Sequence, residues 1–105
     1  MTELIKIANK HRVPITFRAA GTSLSGQAVT DSVLARLVPS KWSGVEVIFS
    51  PEKTPIAIKL QPGVIGGNAN KHLAKYNKKI GPDPASINAC MIGKVSFKIS
   101  ILIFF

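Results

Sequence analysis

Cysteine is almost absent from this chain, since Cys90 is the only one in 105 residues. A single cysteine excludes an intrachain disulfide and a cysteine-based metal cage. The two histidines, His11 and His72, lie far apart and have no acidic neighbours in the sequence, so no metal site is expected. The low cysteine content favours a reducing, cytoplasmic location.

Long hydrophobic runs are also scarce. The first residues, MTELIKIANKHR, lack the charged segment and the long apolar stretch of a secretory signal. The one concentrated apolar run is ISILIFF at the other end, which is much shorter than the roughly 20 residues that a membrane-spanning helix needs. Neither a secretory signal nor a transmembrane helix is therefore expected.

Acidic residues are few, because five carboxylates stand against 14 lysines and arginines and leave a net charge of +9. Such a charge suits a nucleic acid, an anionic membrane surface or a polyphosphate ligand. The chain has no RNA-recognition aromatic pattern, no zinc-finger spacing and no basic region followed by heptads, which argues against nucleic acid. The carboxylates form no convincing pair for acid–base catalysis, so no catalytic residue is nominated. They are Glu3, Asp31, Glu46, Glu52 and Asp83.

The chain does contain enough hydrophobic residues, 46%, to form a folded domain. Apolar residues at helical spacing predict an amphipathic helix over residues 2–10, with Thr2 as its cap. A second helix is predicted over residues 68–76, with Asn68 as its cap. Runs of β-forming residues predict short strands at residues 15–17, 32–38, 45–50 and 56–60. The predicted fold class is α+β, with short strands and two helices.

The segment RAAGTSLSG, residues 18–26, follows the first predicted strand directly. It fails the phosphate-loop pattern of nucleoside triphosphatases, because Gln27 stands in place of the lysine and Ala28 in place of the hydroxyl residue. It also fails the GxGxxG pattern of dinucleotide-binding folds. Gly21 and Gly26 can still turn successive amides into an anion-binding concavity. Two alternatives remain open: a cradle for a pyrophosphate group, and an ordinary tight loop.

The wider segment VPITFRAAGTSLSGQAVTDSVL resembles the pyrophosphate-binding loop of flavin-dependent oxidoreductases of the vanillyl-alcohol oxidase and p-cresol methylhydroxylase type, in the D-lactate dehydrogenase and glycolate oxidase branch. LQPGVIGGNANKHLAKYNKKIGPDPASINACMIG resembles a later part of the same domain. The resemblance implies a partial FAD-binding domain over residues 1–93, with FAD as the cofactor. Its implied diphosphate contacts are Ala19, Ala20, Gly21, Thr22, Ser23, Gly26, Gln27 and Ala28. Its implied contacts to the flavin or ribityl chain are Pro82, Asp83, Ser86 and Gly93.

The chain departs from the family pattern at two places. Ala19 stands where the family usually has glycine, which would cost on the order of 1 kcal/mol if that position needed positive φ. After Gly93 the family continues with small residues and asparagines, whereas this chain continues with KVSFKISILIFF. Residues 94–105 are therefore interpreted as an apolar tail foreign to the family, of the kind that an altered reading frame or a truncated gene produces. The last part of this tail, residues 101–105, is expected to pack on an exposed sheet edge or to drive self-association.

Two functions follow as hypotheses. In the first, the chain is an FAD-binding segment of a flavin-dependent dehydrogenase acting on a D-2-hydroxy acid such as D-lactate or glycolate. It would be inactive alone, with another chain supplying the missing half. In the second, it is a degenerate basic fragment without a specific ligand, which binds acidic partners through its charge. Charge-driven association weakens steeply with salt, whereas flavin binding should be much less sensitive, so the salt dependence of binding distinguishes the two hypotheses.

Overall fold

The computed structural model describes residues 1–95 and Leu102–Ile103, which form three helices and five short strands. The helices are α1 (Thr2–His11), α2 (Gly66–Ala74) and α3 (Ile92–Val95), and a 3-10 turn spans Pro39–Lys41. The strands are β1 (Ile15–Arg18), β2 (Val33–Arg36), β3 (Val45–Phe49), β4 (Pro55–Leu60) and β5 (Leu102–Ile103). The α+β class predicted from the sequence is confirmed.

Helix α1 forms where the apolar spacing predicted it. Its N-cap is Met1, without a side-chain hydrogen bond, so the capping role predicted for Thr2 is wrong. At the other end Arg12 adopts a left-handed conformation, φ 53°, and donates its N–H to Asn9 C=O. The helix has no buried residue, although it is amphipathic. Its apolar side chains therefore contribute little to the core.

Strands β1 and β2 form a two-stranded parallel sheet, in register from Ile15 opposite Val33 to Arg18 opposite Arg36. The carboxyl ends of parallel strands lie at the same end of a sheet, so the glycine loop leaves β1 beside the residue that follows β2. That residue is Leu37, whose N–H donates to Arg18 C=O at 2.8 Å. The second strand is shorter than the predicted 32–38 because the pairing ends at Arg36.

Strands β3 and β4 pair antiparallel, with a register irregularity between Ile48 and Phe49. The turn between them, residues 50–54, closes with Ser50 N–H donating to Thr54 C=O at 2.8 Å. Strand β5 pairs antiparallel with β4 on the edge away from β3. The expected edge pairing of the apolar tail is thus observed for Leu102–Ile103, and the rest of residues 96–105 lie outside the described residues.

Helix α2 begins two residues before the predicted start and ends before the predicted end. Its N-cap is Ile65, without a side-chain hydrogen bond, so Asn68 lies inside the helix and its predicted capping role is wrong. The physical reason is that the first amides of the helix find backbone partners. Gly66 N–H donates to Cys90 C=O at 3.1 Å, and Gly67 N–H donates to Ile87 C=O at 2.8 Å.

The hydrophobic core lies between β4, the turn that follows it, α2 and the chain around residues 80–92. In the described part of the chain, every fully buried hydrophobic residue falls between Ala57 and Ile92. Cys90 is a free, fully buried thiol, as expected for a small apolar residue. The main cluster comprises Ile58, Leu60, Val64, Ala69, Leu73, Ile80 and Ile92.

The described residues contain neither a membrane-spanning helix nor a metal-binding cluster. No helix there has both the length and the apolar character that crossing a bilayer requires. No group of three or more histidine, cysteine, aspartate or glutamate side chains is arranged to hold a metal ion among those residues.

Candidate functional site

The glycine loop after β1 consists of turns and bends over residues 19–32, with no helix. Gly21 has φ +74° and Gly26 has φ +73°, a conformation that side-chain-bearing residues rarely adopt. The prediction of a strand followed by a non-helical loop is confirmed. That the loop amides converge on one concavity stays a prediction.

Most amides of this loop have no partner. In the part of the chain that the structure describes, the N–H groups of residues 19–21 and 23–28 donate to no carbonyl or side chain. Val29 N–H donates to Gly26 C=O at 3.0 Å and closes the end of the loop. Successive free amides in a glycine-containing turn are the donors from which proteins build anion sites. The loop therefore has the donor set of such a site.

Arg18, the last residue of β1, lies against the loop. A Cβ atom on Gly21 would be 2.5 Å from Arg18 Nε and 2.7 Å from its Nη2, so the guanidinium occupies the space that any side chain at that position would need. Arg18 Nε is buried and has no hydrogen-bond partner among the described residues. Sequence reasoning did not single out Arg18. Its position directly before the glycine loop was the only signal that could have found it.

The segment around Asp83 belongs to the second group of predicted site residues. Pro82 and Asp83 are exposed, and Asp83 Oδ2 lies 3.6 Å from Lys79 Nζ in an exposed ion pair. Ser86 is half-buried, and its C=O accepts the N–H groups of Ala89 and Cys90, both at 2.8 Å. Leaving Thr22 aside, no hydrogen bond or ion pair in the described residues joins this segment to the glycine loop.

Gly93 is the predicted site residue that does approach the loop. Its N–H donates to Pro62 C=O at 2.8 Å, and a Cβ atom on it would lie 3.4 Å from Leu37 Cδ1. Leu37 in turn donates its N–H to Arg18 C=O. The beginning of the glycine loop and Gly93 therefore lie on either side of Leu37, a residue that sequence reasoning missed because its role depends on two partners distant in the chain.

Comparison with known proteins identifies the family of the chain. A family model described as "FAD binding domain" matches residues 1–95. The chain belongs to this family of FAD-binding domains. Glycolate oxidase subunit GlcD from Escherichia coli strain K12 is 32% identical over 95 residues, which cover 89% of this chain and 18% of the relative. The same subunit from Escherichia coli strain CFT073 gives the same values. No solved structure matches.

The FAD-binding chain thus spans less than a fifth of the length of the curated relatives that it matches. The family match agrees with the sequence-based expectation of a partial FAD-binding domain with FAD as its cofactor. The expected boundary after Gly93 is not tested by this match and stays a prediction.

The residues present fit an anionic cofactor at the glycine loop. One short segment, residues 18–28, contains free amides, two glycines of positive φ and an unpartnered guanidinium nitrogen. The family departure at Ala19 is harmless, because the non-glycine residues of positive φ in the described chain are Arg12, Lys53 and Asn77. Alanine at position 19 therefore imposes no backbone strain.

The FAD-binding chain also has a cavity away from the glycine loop. It is an open cleft of about 430 Å³ between the residues around Ser40, the turn at Gly63 and the outer face of α2, where Lys71 and His72 line it. None of the predicted cofactor contacts lines this cleft. The cleft is therefore separate from the predicted cofactor contacts.

Proposed function

We propose that the glycine loop of this chain binds the diphosphate of FAD, through the contacts predicted at residues 19–23 and 26–28. The observation that carries the proposal is the set of free amides at residues 19–21 and 23–28, in a segment that contains two glycines of positive φ. Backbone donors recognise phosphate oxygens without needing a lysine, which is why the loop can serve although it lacks the lysine of triphosphatases.

The second segment would approach the flavin or its ribityl chain through Pro82, Asp83, Ser86 and Gly93. Support comes from Gly93, which reaches the beginning of the loop across Leu37. The Ser86 hydroxyl makes no hydrogen bond in the described residues, which leaves it available as a donor or acceptor.

We further propose that the chain is part of a flavin-dependent oxidoreductase that acts on a 2-hydroxy acid such as glycolate or D-lactate. The similarity to glycolate oxidase subunit GlcD supports this reaction class. Bound FAD supplies the hydride acceptor. The chain's own contribution is to hold the diphosphate and thereby fix the cofactor relative to the protein.

Substrate binding and proton removal are assigned to polypeptide outside these residues. Within the described chain, Glu3, Glu46 and Asp83 form exposed ion pairs, at 3.4, 3.8 and 3.6 Å, and none is set in a pocket as a proton acceptor. The 105 residues alone should therefore show no oxidation of glycolate or D-lactate above that of free FAD, in an assay of acceptor reduction. A cytoplasmic location is part of the proposal, since the free thiol of Cys90 suits a reducing compartment.

The deciding experiment is a titration of the purified chain with FAD, followed by flavin fluorescence at low and at high salt. We expect saturable binding that changes little with salt, because backbone donors and packing provide it. Heparin, a polyanion without a flavin, serves as the control for charge alone. Binding of FAD and heparin alike, with a steep loss at high salt, would instead support the basic-fragment hypothesis.

A further inference from the structure

The guanidinium of Arg18 lies against Gly21 and makes no hydrogen bond or ion pair in the described residues. Its Nε is buried without a partner, 2.5 Å from where a Cβ on Gly21 would stand. A buried donor that forms no hydrogen bond is unfavourable, and such groups in native proteins usually have a partner. The Arg18 guanidinium therefore has donor capacity that no group of the described residues uses.

The glycine loop has no positive charge of its own to balance a bound diphosphate. Residues 19–30 include no charged side chain, whereas a diphosphate carries two negative charges. The N-terminus of α2 does not supply the missing positive charge, because its first amides already bond to the carbonyls of Cys90 and Ile87. Arg18 is the cation that borders the loop directly.

We propose that Arg18 binds the diphosphate of FAD through its guanidinium, next to the free amides of the loop. This role rests on the proposed function of the loop. It also gives a second reason why position 21 is a glycine. Besides allowing the positive φ, the absence of a side chain lets the guanidinium come close to the loop backbone. A charge-assisted hydrogen bond from arginine is the interaction best suited to a phosphate oxygen.

The test compares FAD affinity in the full chain and three variants. Arg18→Gln removes the charge and the Nε donor, and Arg18→Lys keeps the charge but removes Nε. Arg36→Gln is the matched control, since Arg36 is exposed and lies opposite Arg18 in the β1–β2 pair. We expect Arg18→Gln to weaken FAD binding on the order of 10- to 100-fold, as loss of a charge-assisted hydrogen bond should. The FAD affinity of Arg18→Lys should lie between those of the parent chain and Arg18→Gln. Arg36→Gln should bind FAD as tightly as the parent chain does.

Competition by inorganic pyrophosphate reports the diphosphate alone. Pyrophosphate should displace FAD from the parent chain and should lose affinity in Arg18→Gln by the same factor as FAD. Equal losses in Arg18→Gln and Arg36→Gln would overturn the proposal, because they would show a general charge effect. FAD binding that Arg18→Gln leaves unchanged would overturn it too, while leaving the loop assignment intact. A parent chain that does not bind FAD would contradict the proposed function itself.

Circular dichroism of each variant establishes whether it folds. Should the Arg18 variants fail to fold, phenylglyoxal modification of the parent chain with mass-spectrometric mapping gives the answer without substitution. The chain has three arginines, Arg12, Arg18 and Arg36. FAD should protect Arg18 and leave the other two reactive, and an Arg18 that FAD fails to protect would contradict the proposal.

Discussion

Two regions of the molecule differ in how they are held together. The loop region, residues 1–38, contains α1, β1, β2 and the glycine loop, and none of its residues is among the fully buried hydrophobics of the described chain. The core region, residues 45–93, contains β3, β4 and α2 and includes all of them. A two-stranded sheet is marginal without packing against other elements. The comparison teaches that the glycine loop lies in the weakly packed region, whereas stability comes from the core region.

The two regions meet at Leu37. Its N–H bonds to the end of β1, and its side chain contacts the position of Gly93, which is itself bonded to Pro62. The loop is therefore tied to the core region at the point where it begins. Substitutions in the core region should consequently act on stability, and substitutions in the loop on binding.

The largest effect is expected from Leu73→Ala. Leu73 is fully buried in the core cluster, so the truncation should lower the free energy of unfolding by about 2–5 kcal/mol. Leu34→Ala, the matched change at an exposed position of β2, should cost much less. Urea unfolding followed by circular dichroism measures both. Similar losses for the two variants would show that the loop region is packed as well as the core region.

A smaller effect, on binding, is expected from Gly21→Ala. Both Gly21 and Gly26 have positive φ, and alanine in that conformation costs on the order of 1 kcal/mol. A Cβ on Gly21 would also meet the Arg18 guanidinium, whereas one on Gly26 has nothing within 4 Å. FAD titration should therefore show a greater loss of affinity for Gly21→Ala than for Gly26→Ala. The opposite order would show that the Arg18 contact does not matter to the loop.

Removal of residues 96–105 should change solubility and leave the loop unaffected. The tail is apolar and β-prone, so its removal should lower self-association, even though Leu102–Ile103 pair with β4. Sedimentation of the full and shortened chains at matched concentration and salt measures this, and FAD titration checks the loop. A shortened chain that is less soluble, or unfolded, would make the tail an integral part of the core region.

The smallest effect on stability is expected from Asp83→Asn. The ion pair with Lys79 is exposed on both sides, so its loss should change the free energy of unfolding by less than about 1 kcal/mol. Lys79→Gln breaks the same pair and serves as the control. If Asp83 approaches the flavin, Asp83→Asn alone should alter the absorption spectrum of bound FAD. Identical spectra for both variants would remove Asp83 from the site.

Much of the fold was predictable because its signals are local. The helix at residues 2–10 follows from apolar spacing, and the strands follow from runs of β-forming residues between turns. Gly21 and Gly26 mark the loop because only a residue without Cβ adopts positive φ freely. The two capping predictions, at Thr2 and Asn68, were wrong because other groups took the cap positions.

The amino-acid sequence by itself determined which segments are helix, strand and glycine loop, and its motifs indicated the family. Only the tertiary structure decided where α2 begins, because the carbonyls of Ile87 and Cys90 reach its first amides. It also decided that Arg18 Nε is buried against Gly21 and that Leu37 joins the loop to Gly93. The physical reason is common to all three. Each depends on the three-dimensional placement of particular groups, for α2 and Leu37 groups distant in the chain and for Arg18 its own side chain against the loop, which local backbone preference does not fix.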